Sequence, residues 1–194
     1  MRETVRPTAP TGSCTRRAAL LAIAAAPSLL RAQAPRAAPA ELAAELPGAQ
    51  LRGSGRLSFF GLHIYDAHLW VSEGFVADRF ARSSLALELR YARSLRGDLI
   101  AERSLQEMKR ANGFSEEQGE RWLGAMRQIL PDVGQGGRIT GVLRPDEALR
   151  FFHNAKLRGE VRDAEFAHRF IGIWLAPQTS EPKLRQALLG LQAP

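Results

Sequence analysis

The sequence predicts an α+β domain in which an antiparallel sheet is covered by helices on one side. Strand-like alternation occupies two blocks, near residues 54–93 and 138–161, whereas helix-like spacing occupies separate blocks, near 98–131 and 163–190. Strands grouped apart from helices are typical of α+β domains rather than of repeated βαβ units. The roughly 160 residues that follow position 34 suffice for one domain with a substantial core.

The first strand block opens with GSGRLSFFGLHIYDAHLWV, residues 53–71. Its alternation predicts one long strand or a tight hairpin that bends near Gly61. Both faces mix apolar and polar side chains, which indicates a strand that is half buried on both faces. The stretch LALELRYAR, from Leu85 to Arg93, then alternates like a half-buried strand.

Two helices are expected next. The first runs from Asp98 to Asn112, where Asn and Gly supply a stop signal. The second begins with SEEQ, a capping box in which Ser115 accepts from an amide three residues on and Gln118 reaches back to the amide of Ser115. Pro131 ends this helix.

Three short strands and two helices complete the predicted domain. The strands are Arg138–Leu143, Leu149–His153 and Lys156–Val161, with Asn154 at a hairpin position that requires positive φ. Asp163 is the expected N-cap of the next helix. Ser180 is the expected N-cap of the last helix, which ends at Gly190.

The N-terminal 34 residues are typical of an export signal. Arg16 and Arg17 precede an apolar run that is too short to span a membrane, and Ala32–Ala34 form a small-x-small cleavage pattern. The arginine pair resembles a twin-arginine signal, although ordinary secretory signals also carry arginines there. We expect a periplasmic or secreted protein cleaved near Ala34, a flexible leader or short docking segment over 35–48, and a domain over 49–194.

Removing the signal changes the charge of the chain. The segment carries five arginines and one glutamate, so the formal net charge falls from +7 to +3, and nucleic acid is not an expected partner. Cys14, the only cysteine, also lies there, so the mature chain has no disulfide or thiolate chemistry. No second long apolar run follows, so no transmembrane segment is expected in the mature form.

Known catalytic and cofactor motifs are missing from the sequence. GSG at 53–55 lacks the third glycine of a dinucleotide loop, and there is no GK[ST], HExxH or GxSxG. His63 and His68 face opposite sides of a strand and cannot share a metal. Asp66 and His68 share a face, and a hydrogen-bonded or solvated pair is favoured there over a metal site. We therefore predict neither a cofactor nor a metal.

Four stretches carry a family resemblance: GSGRLSFFGLHIYDAHLWV, LELRYAR, FFHNAKLRGEVRDAEFAHRFIGIWL and SEPKLRQALLG. Their order and spacing over residues 48–191 resemble the bacterial chalcone isomerase-like proteins. The resemblance implies an open-faced β-sandwich, in which a large antiparallel sheet is layered with helices around a ligand cleft. The wider family includes plant isomerases that close a flavanone ring and plant proteins that bind fatty acids without catalysis.

The resemblance also implies site residues. The cleft arginine of the family falls on Arg56, with Arg52 as the alternative, and the hydroxyl position falls on Tyr65. The isomerases carry threonine at that position, and tyrosine resembles the fatty-acid-binding branch. A second tyrosine that the isomerases use would follow the LELRYAR strand, where this chain has SLRGDLIAE.

These residues predict a binder of a small amphipathic anion, either a fatty acid or a phenolic compound. The guanidinium of Arg56 can donate two parallel hydrogen bonds to a carboxylate, and Tyr65 can add a third from an apolar wall. Two alternatives remain open: an intramolecular lyase or isomerase acting on a conjugated enone, and an envelope interaction module without a ligand.

Overall fold

A six-stranded antiparallel sheet forms the centre of the protein. The computed structural model describes residues 37–111, 113–145 and 148–191, and in it every strand pairs with the next along the chain, in the order β1 to β6. Helices lie beside this open sheet, so the predicted α+β fold is confirmed. The expected export signal and the expected helix stop at Asn112 lie outside the described residues.

The elements follow in chain order. The strands are β1 Gln50–Phe59, β2 Leu62–Val71, β3 Leu85–Tyr91, β4 Arg138–Arg144, β5 Ala148–His153 and β6 Lys156–Val161. The α-helices are α1 Leu42–Glu45, α2 Gly97–Met108, α3 Glu116–Ile129, α4 Ala164–Leu175 and α5 Pro182–Leu189, and a 3-10 helix spans Ala77–Arg82.

The stretch around Gly61 is a hairpin rather than one long strand. Phe60 and Gly61 both have positive φ, +47° and +75°, between the closing pair Phe59 and Leu62. Positive φ at both central residues matches the right-handed twist of the flanking strands. The β5–β6 hairpin likewise turns at Asn154, with φ +48°, as its sequence predicts.

Capping side chains position two of the long helices as expected. The Ser115 hydroxyl accepts from the Gln118 amide (3.2 Å), and Asp163 accepts from the Phe166 amide (2.9 Å). The Gln118 side chain does not return to Ser115; it donates to Glu165 on α4 at 2.9 Å, which ties α3 to α4.

The last helix departs from expectation at its start. Its N-cap position is Glu181 rather than Ser180, and no side chain caps it. Pro182 occupies the first turn, where a missing N–H removes one donor that would otherwise need a partner. Gly190, with φ +66°, ends the helix as predicted.

Residues 37–49 lie against the sheet, which corrects the expectation of a flexible leader over 35–48. Leu42 on α1 is 1% exposed, and Leu46 is also buried. Both pack with Trp70 and Phe152 on the face of the sheet opposite α2–α5, here called the outer face. The leader lacks large apolar content overall, but two leucines four residues apart are enough to anchor one helical turn.

Charged contacts hold the same segment in place. Glu41 accepts from the Thr140 hydroxyl at 2.6 Å and from the Arg138 guanidinium at 2.8 Å, and Glu45 accepts from Arg150 at 2.6 Å. A buried carboxylate requires such partners, because leaving one oxygen without them costs several kcal/mol. The apolar part of the outer face is therefore covered by the N-terminal segment, and the inner face by α2–α5.

Candidate ligand-binding cavity

A cavity of about 310 Å³ lies between the inner face of the sheet and the helices. Most of its lining is aliphatic or aromatic, and the few polar groups come from two tyrosines, α2 and the residues before α5. The lining residues are Leu57, Phe59, Ile64, Tyr65, Leu87, Leu89, Tyr91, Leu95, Leu99, Ile100, Arg103, Ser104, Glu107, Leu130, Ile139, Gly141, Phe151, Phe170, Ile171, Ile173, Trp174, Ser180 and Glu181.

Two tyrosines form the polar part of the cavity floor. Tyr65 and Tyr91 are direct partners on β2 and β3, and their rings meet edge to face with centroids 5.7 Å apart. The Tyr65 hydroxyl accepts a hydrogen bond from the indole Nε1 of Trp174 at 2.9 Å, which joins the sheet to α4. Because a hydroxyl can accept and donate at once, this bond leaves the phenolic proton of Tyr65 available to a ligand.

Both phenols stay protonated. Burial raises the pKa of Tyr65 well above its ordinary value, and it does the same to the pKa of Tyr91, where the neighbouring Tyr65 adds to the effect. Desolvation disfavours the phenolate, so each group remains neutral throughout the physiological range. The two side chains can therefore donate hydrogen bonds but are poor proton acceptors.

An ion pair on α2 lies at the mouth of the cavity. Arg103 and Glu107 are one turn apart, and their Nη2 and Oε1 atoms are 2.6 Å apart. The Arg103 side chain is 63% exposed, whereas that of Glu107 is 10% exposed. Glu107 Oε2 accepts no hydrogen bond from the described residues, but Arg110 Nε lies 3.7 Å from it. The Arg103 guanidinium is thus the accessible cation of the cavity lining, and a partly buried carboxylate lies directly behind it.

The structure does not bring Arg56 and Tyr65 together. Arg56 pairs with Asp66 on the outer face, where its Nε donates to Asp66 Oδ1 at 2.9 Å, and it does not line the cavity. A regular hairpin continued from Phe59 and Leu62 would place Arg56 opposite Tyr65. A register shift between Leu57 and Ser58 instead places Leu57 there, and one residue of shift moves a side chain to the other face.

The alternative arginine is also outside the cavity. Arg52 Nε donates to the Leu189 carbonyl at 3.0 Å, so its side chain stabilises the end of α5. Neither Arg56 nor Arg52 therefore lines the cavity, whereas Tyr65 lies on its wall.

Asp66 and His68 do not pair with each other, and each contacts a different residue. Burial opposes ionisation of Asp66, but the hydrogen bond from Arg56 and the neighbouring His63 outweigh it and hold the pKa of Asp66 below its ordinary value. His63 Nε2 lies 3.1 Å from Asp66 Oδ1, and His68 Nδ1 lies 3.8 Å from Glu88 Oε2 on the buried outer face. Within 37–111, 113–145 and 148–191, no three acidic, histidine or cysteine residues are grouped to hold a metal ion.

Sequence reasoning missed Tyr91, Arg103 and Glu107. Tyr91 lies two and four residues after Leu89 and Leu87, and alternate residues of a strand lie on the same face. The strand pattern alone could therefore have predicted that Tyr91 lies on the inner face. On α2, Ile100, Arg103 and Glu107 are three and four residues apart, so they lie on one side of the helix. Charged residues on the same side as an apolar one could have indicated a polar rim to the cavity.

Fold and cavity together define an open-sheet α+β protein with an internal apolar pocket. Residues 37–190 match the family model described as chalcone isomerase-like, and the chain belongs to that family. An uncharacterized protein of Haemophilus influenzae is 25% identical over 138 residues, which are 71% of this chain and 66% of that protein.

A solved structure shares the fold. The crystal structure of an Arabidopsis thaliana fatty-acid binding protein superimposes with a TM-score of 0.55 at 12% identity, covering 73% of this chain and 86% of that one. Separately, among the described helices none combines the length and apolar character that crossing a bilayer requires.

The bond between Tyr65 and Trp174 predicts unequal effects of two matched substitutions. Tyr65→Phe should lower the free energy of unfolding by about 1–2 kcal/mol, because the buried indole N–H loses its acceptor. Tyr91→Phe should change it by less than about 0.5 kcal/mol, because within the described chain no residue hydrogen-bonds to the Tyr91 hydroxyl. Urea titrations of both variants provide the measurement, and equal losses would contradict the assigned roles.

Proposed function

We propose that this protein is an exported, non-catalytic binder of an apolar carboxylate such as a fatty acid. The observation that carries the proposal is a largely apolar cavity in which two neutral phenols and the accessible guanidinium of Arg103 can donate hydrogen bonds, beside Ser104, Ser180 and the carboxylates of Glu107 and Glu181. Membership of the chalcone isomerase-like family and structural likeness to a plant fatty-acid binding protein support it.

The cavity has the size and polarity that such a ligand needs. Small-molecule pockets commonly enclose about 300–1,000 Å³, and 310 Å³ lies at the lower end of that range. An alkyl chain would contact the wall formed by Leu87, Leu89, Ile139 and Phe151, where it gains the free energy of leaving water. Its carboxylate would stay near the mouth, at Arg103.

Arg103 would serve as the anion partner, and Glu107 would set how strongly it does so. The guanidinium keeps its charge at all relevant pH values and presents several donors to a carboxylate. In the structure one of these donors, the Nη2 group, is paired with Glu107. A bound carboxylate would share the guanidinium with Glu107, so like-charge repulsion moderates affinity and favours a ligand that can be released.

The alkyl chain supplies the first test. Straight-chain acids of increasing length should gain roughly fourfold in affinity per methylene, the equivalent of about 0.8 kcal/mol per buried CH₂, until the cavity is full. Beyond that length the gain should stop. Isothermal titration calorimetry on the full chain measures each Kd. An affinity that does not depend on chain length would contradict a buried alkyl tail.

The carboxylate partner is tested by a matched pair of arginine variants. Arg103→Ala should weaken binding of a fatty acid about tenfold and leave the alcohol of equal length unaffected, because only the acid pairs with the guanidinium. Arg56→Ala should leave both affinities unchanged, since Arg56 lies on the outer face. The reverse result, with loss in the Arg56 variant alone, would restore the sequence-based assignment.

Export is proposed on the sequence of residues 1–34, which combine an arginine pair, an apolar run and the AQA pattern. Cleavage near Ala34 would leave the α1 segment and its contacts intact, since Glu41 and Leu42 lie beyond that point. The N-terminal sequence of the protein recovered from the periplasm should begin close to residue 35. A full-length chain retained in the cytoplasm would contradict export.

A further inference from the structure

The β1–β2 turn exposes an unusual amount of apolar surface. Phe59 is 57% exposed, Phe60 is 89% exposed and Leu62 is 53% exposed, and Gly61 between them adds no polar group. The two phenyl rings meet edge to face with centroids 4.5 Å apart. Hairpin turns in water normally carry polar residues, so this group, here called the hairpin tip (residues 59–62), calls for a partner.

The hairpin tip is continuous with the mouth of the cavity. Phe59 lines the cavity and is exposed at the same time, and Leu99 at the start of α2 does the same with 50% exposure. Arg103, the accessible cation of the cavity, lies one turn beyond Leu99. An apolar path therefore leads from the cavity interior to the outermost side chain of the hairpin.

Exposed arginines lie near this end of the sheet. Arg93 is exposed and forms no ion pair with any residue in the described ranges, and its neighbour Ala92 donates its amide to the Ile64 carbonyl on β2, close to the hairpin tip. Arg56 and Arg103 are 61% and 63% exposed, and each shares its charge with one carboxylate. Exposed phenylalanines on a turn, with arginines on the neighbouring elements, suit the interface of an anionic lipid layer.

We propose that the hairpin tip inserts into an anionic phospholipid surface and places the cavity mouth against it. Phe59, Phe60 and Leu62 would enter the boundary between headgroups and acyl chains, while Arg93 and Arg103 meet lipid phosphates. The inference goes beyond the proposed function, because docking requires no occupant in the cavity. A lipid layer fits better than a protein partner, because a stable protein interface buries about 800 Å² on each side and a four-residue convex turn offers much less.

Insertion can be measured with an introduced fluorophore. The three native tryptophans are at most 6% exposed, so an indole on the surface reports separately. Phe60→Trp on the full chain should be quenched several-fold more strongly by vesicles of brominated phosphatidylglycerol than Leu157→Trp. Leu157 on β6 is similarly apolar and 49% exposed but lies outside the cavity lining. Both variants carry the same residues 1–36, so any lipid binding by that segment would affect them equally. Equal quenching of the two variants would therefore overturn the proposal.

Charge dependence gives a second measure on the same vesicles. In the Phe60→Trp background, Arg93→Ala should lower partitioning into phosphatidylglycerol about fivefold and leave partitioning into phosphatidylcholine unchanged. Raising the salt concentration should reduce the difference between the two lipids, because exposed charges are screened. An identical loss on both lipids would overturn the role of Arg93.

A third variant separates docking from ligand binding. Phe60→Ser should keep the fatty-acid affinity measured in lipid-free buffer, since Phe60 does not line the cavity, and should lose roughly tenfold in vesicle binding. Quenching at position 60 without any fatty-acid binding would leave the docking proposal standing and overturn the proposed function. A concentration-dependent dimer that Phe60→Ser abolishes, with no quenching by vesicles, would assign the tip to a second copy and overturn docking.

Discussion

A sheet with an apolar inner face and an apolar patch on its outer face has to be covered on both sides, and this requirement shapes the domain. On the inner face α2–α5 supply the cover, with Phe166, Phe170 and Trp174 packed towards the strands. On the outer face the cover within the described residues is α1 with Leu46 directly after it, and partly buried ion pairs from Glu41 and Glu45 hold this segment in place. The mixed faces of β2 follow directly, since both must contact protein.

The cavity lies where cover on the inner face is incomplete. Tyr65 and Tyr91 approach from the strands and Trp174 from α4, and the bond between Tyr65 and Trp174 holds sheet and helix in a defined relation. Gly141 on β4 offers no side chain to fill the space. The same desolvation that keeps both phenols neutral also strengthens each hydrogen bond they make, so few polar groups are needed to orient an amphipathic molecule.

In the proposed function, binding and release of the ligand would place opposite demands on the cavity. A guanidinium alone would hold a carboxylate firmly, whereas a guanidinium already paired with Glu107 holds it less strongly. If the protein docks on a bilayer as proposed, the exposed apolar side chains at the mouth would reduce the cost of moving an alkyl chain between cavity and bilayer, because the chain would not have to cross water. The likeness to the Arabidopsis protein extends to the fold alone at 12% identity, so these features rest on the side chains of this chain.

Features set by neighbouring residues could be predicted from the sequence. The turns at Gly61 and Asn154, the caps at Ser115 and Asp163 and the inward position of Tyr65 all follow from local backbone preference or strand parity. The arginine that lines the cavity could not be predicted, because one register shift in β1 turns Arg56 to the outer face, while a helix remote in sequence brings Arg103 to the cavity. The docking of α1 also depended on tertiary structure. Its leucines acquire a partner only when β2–β5 assemble, since no local pattern encodes a surface built from four strands.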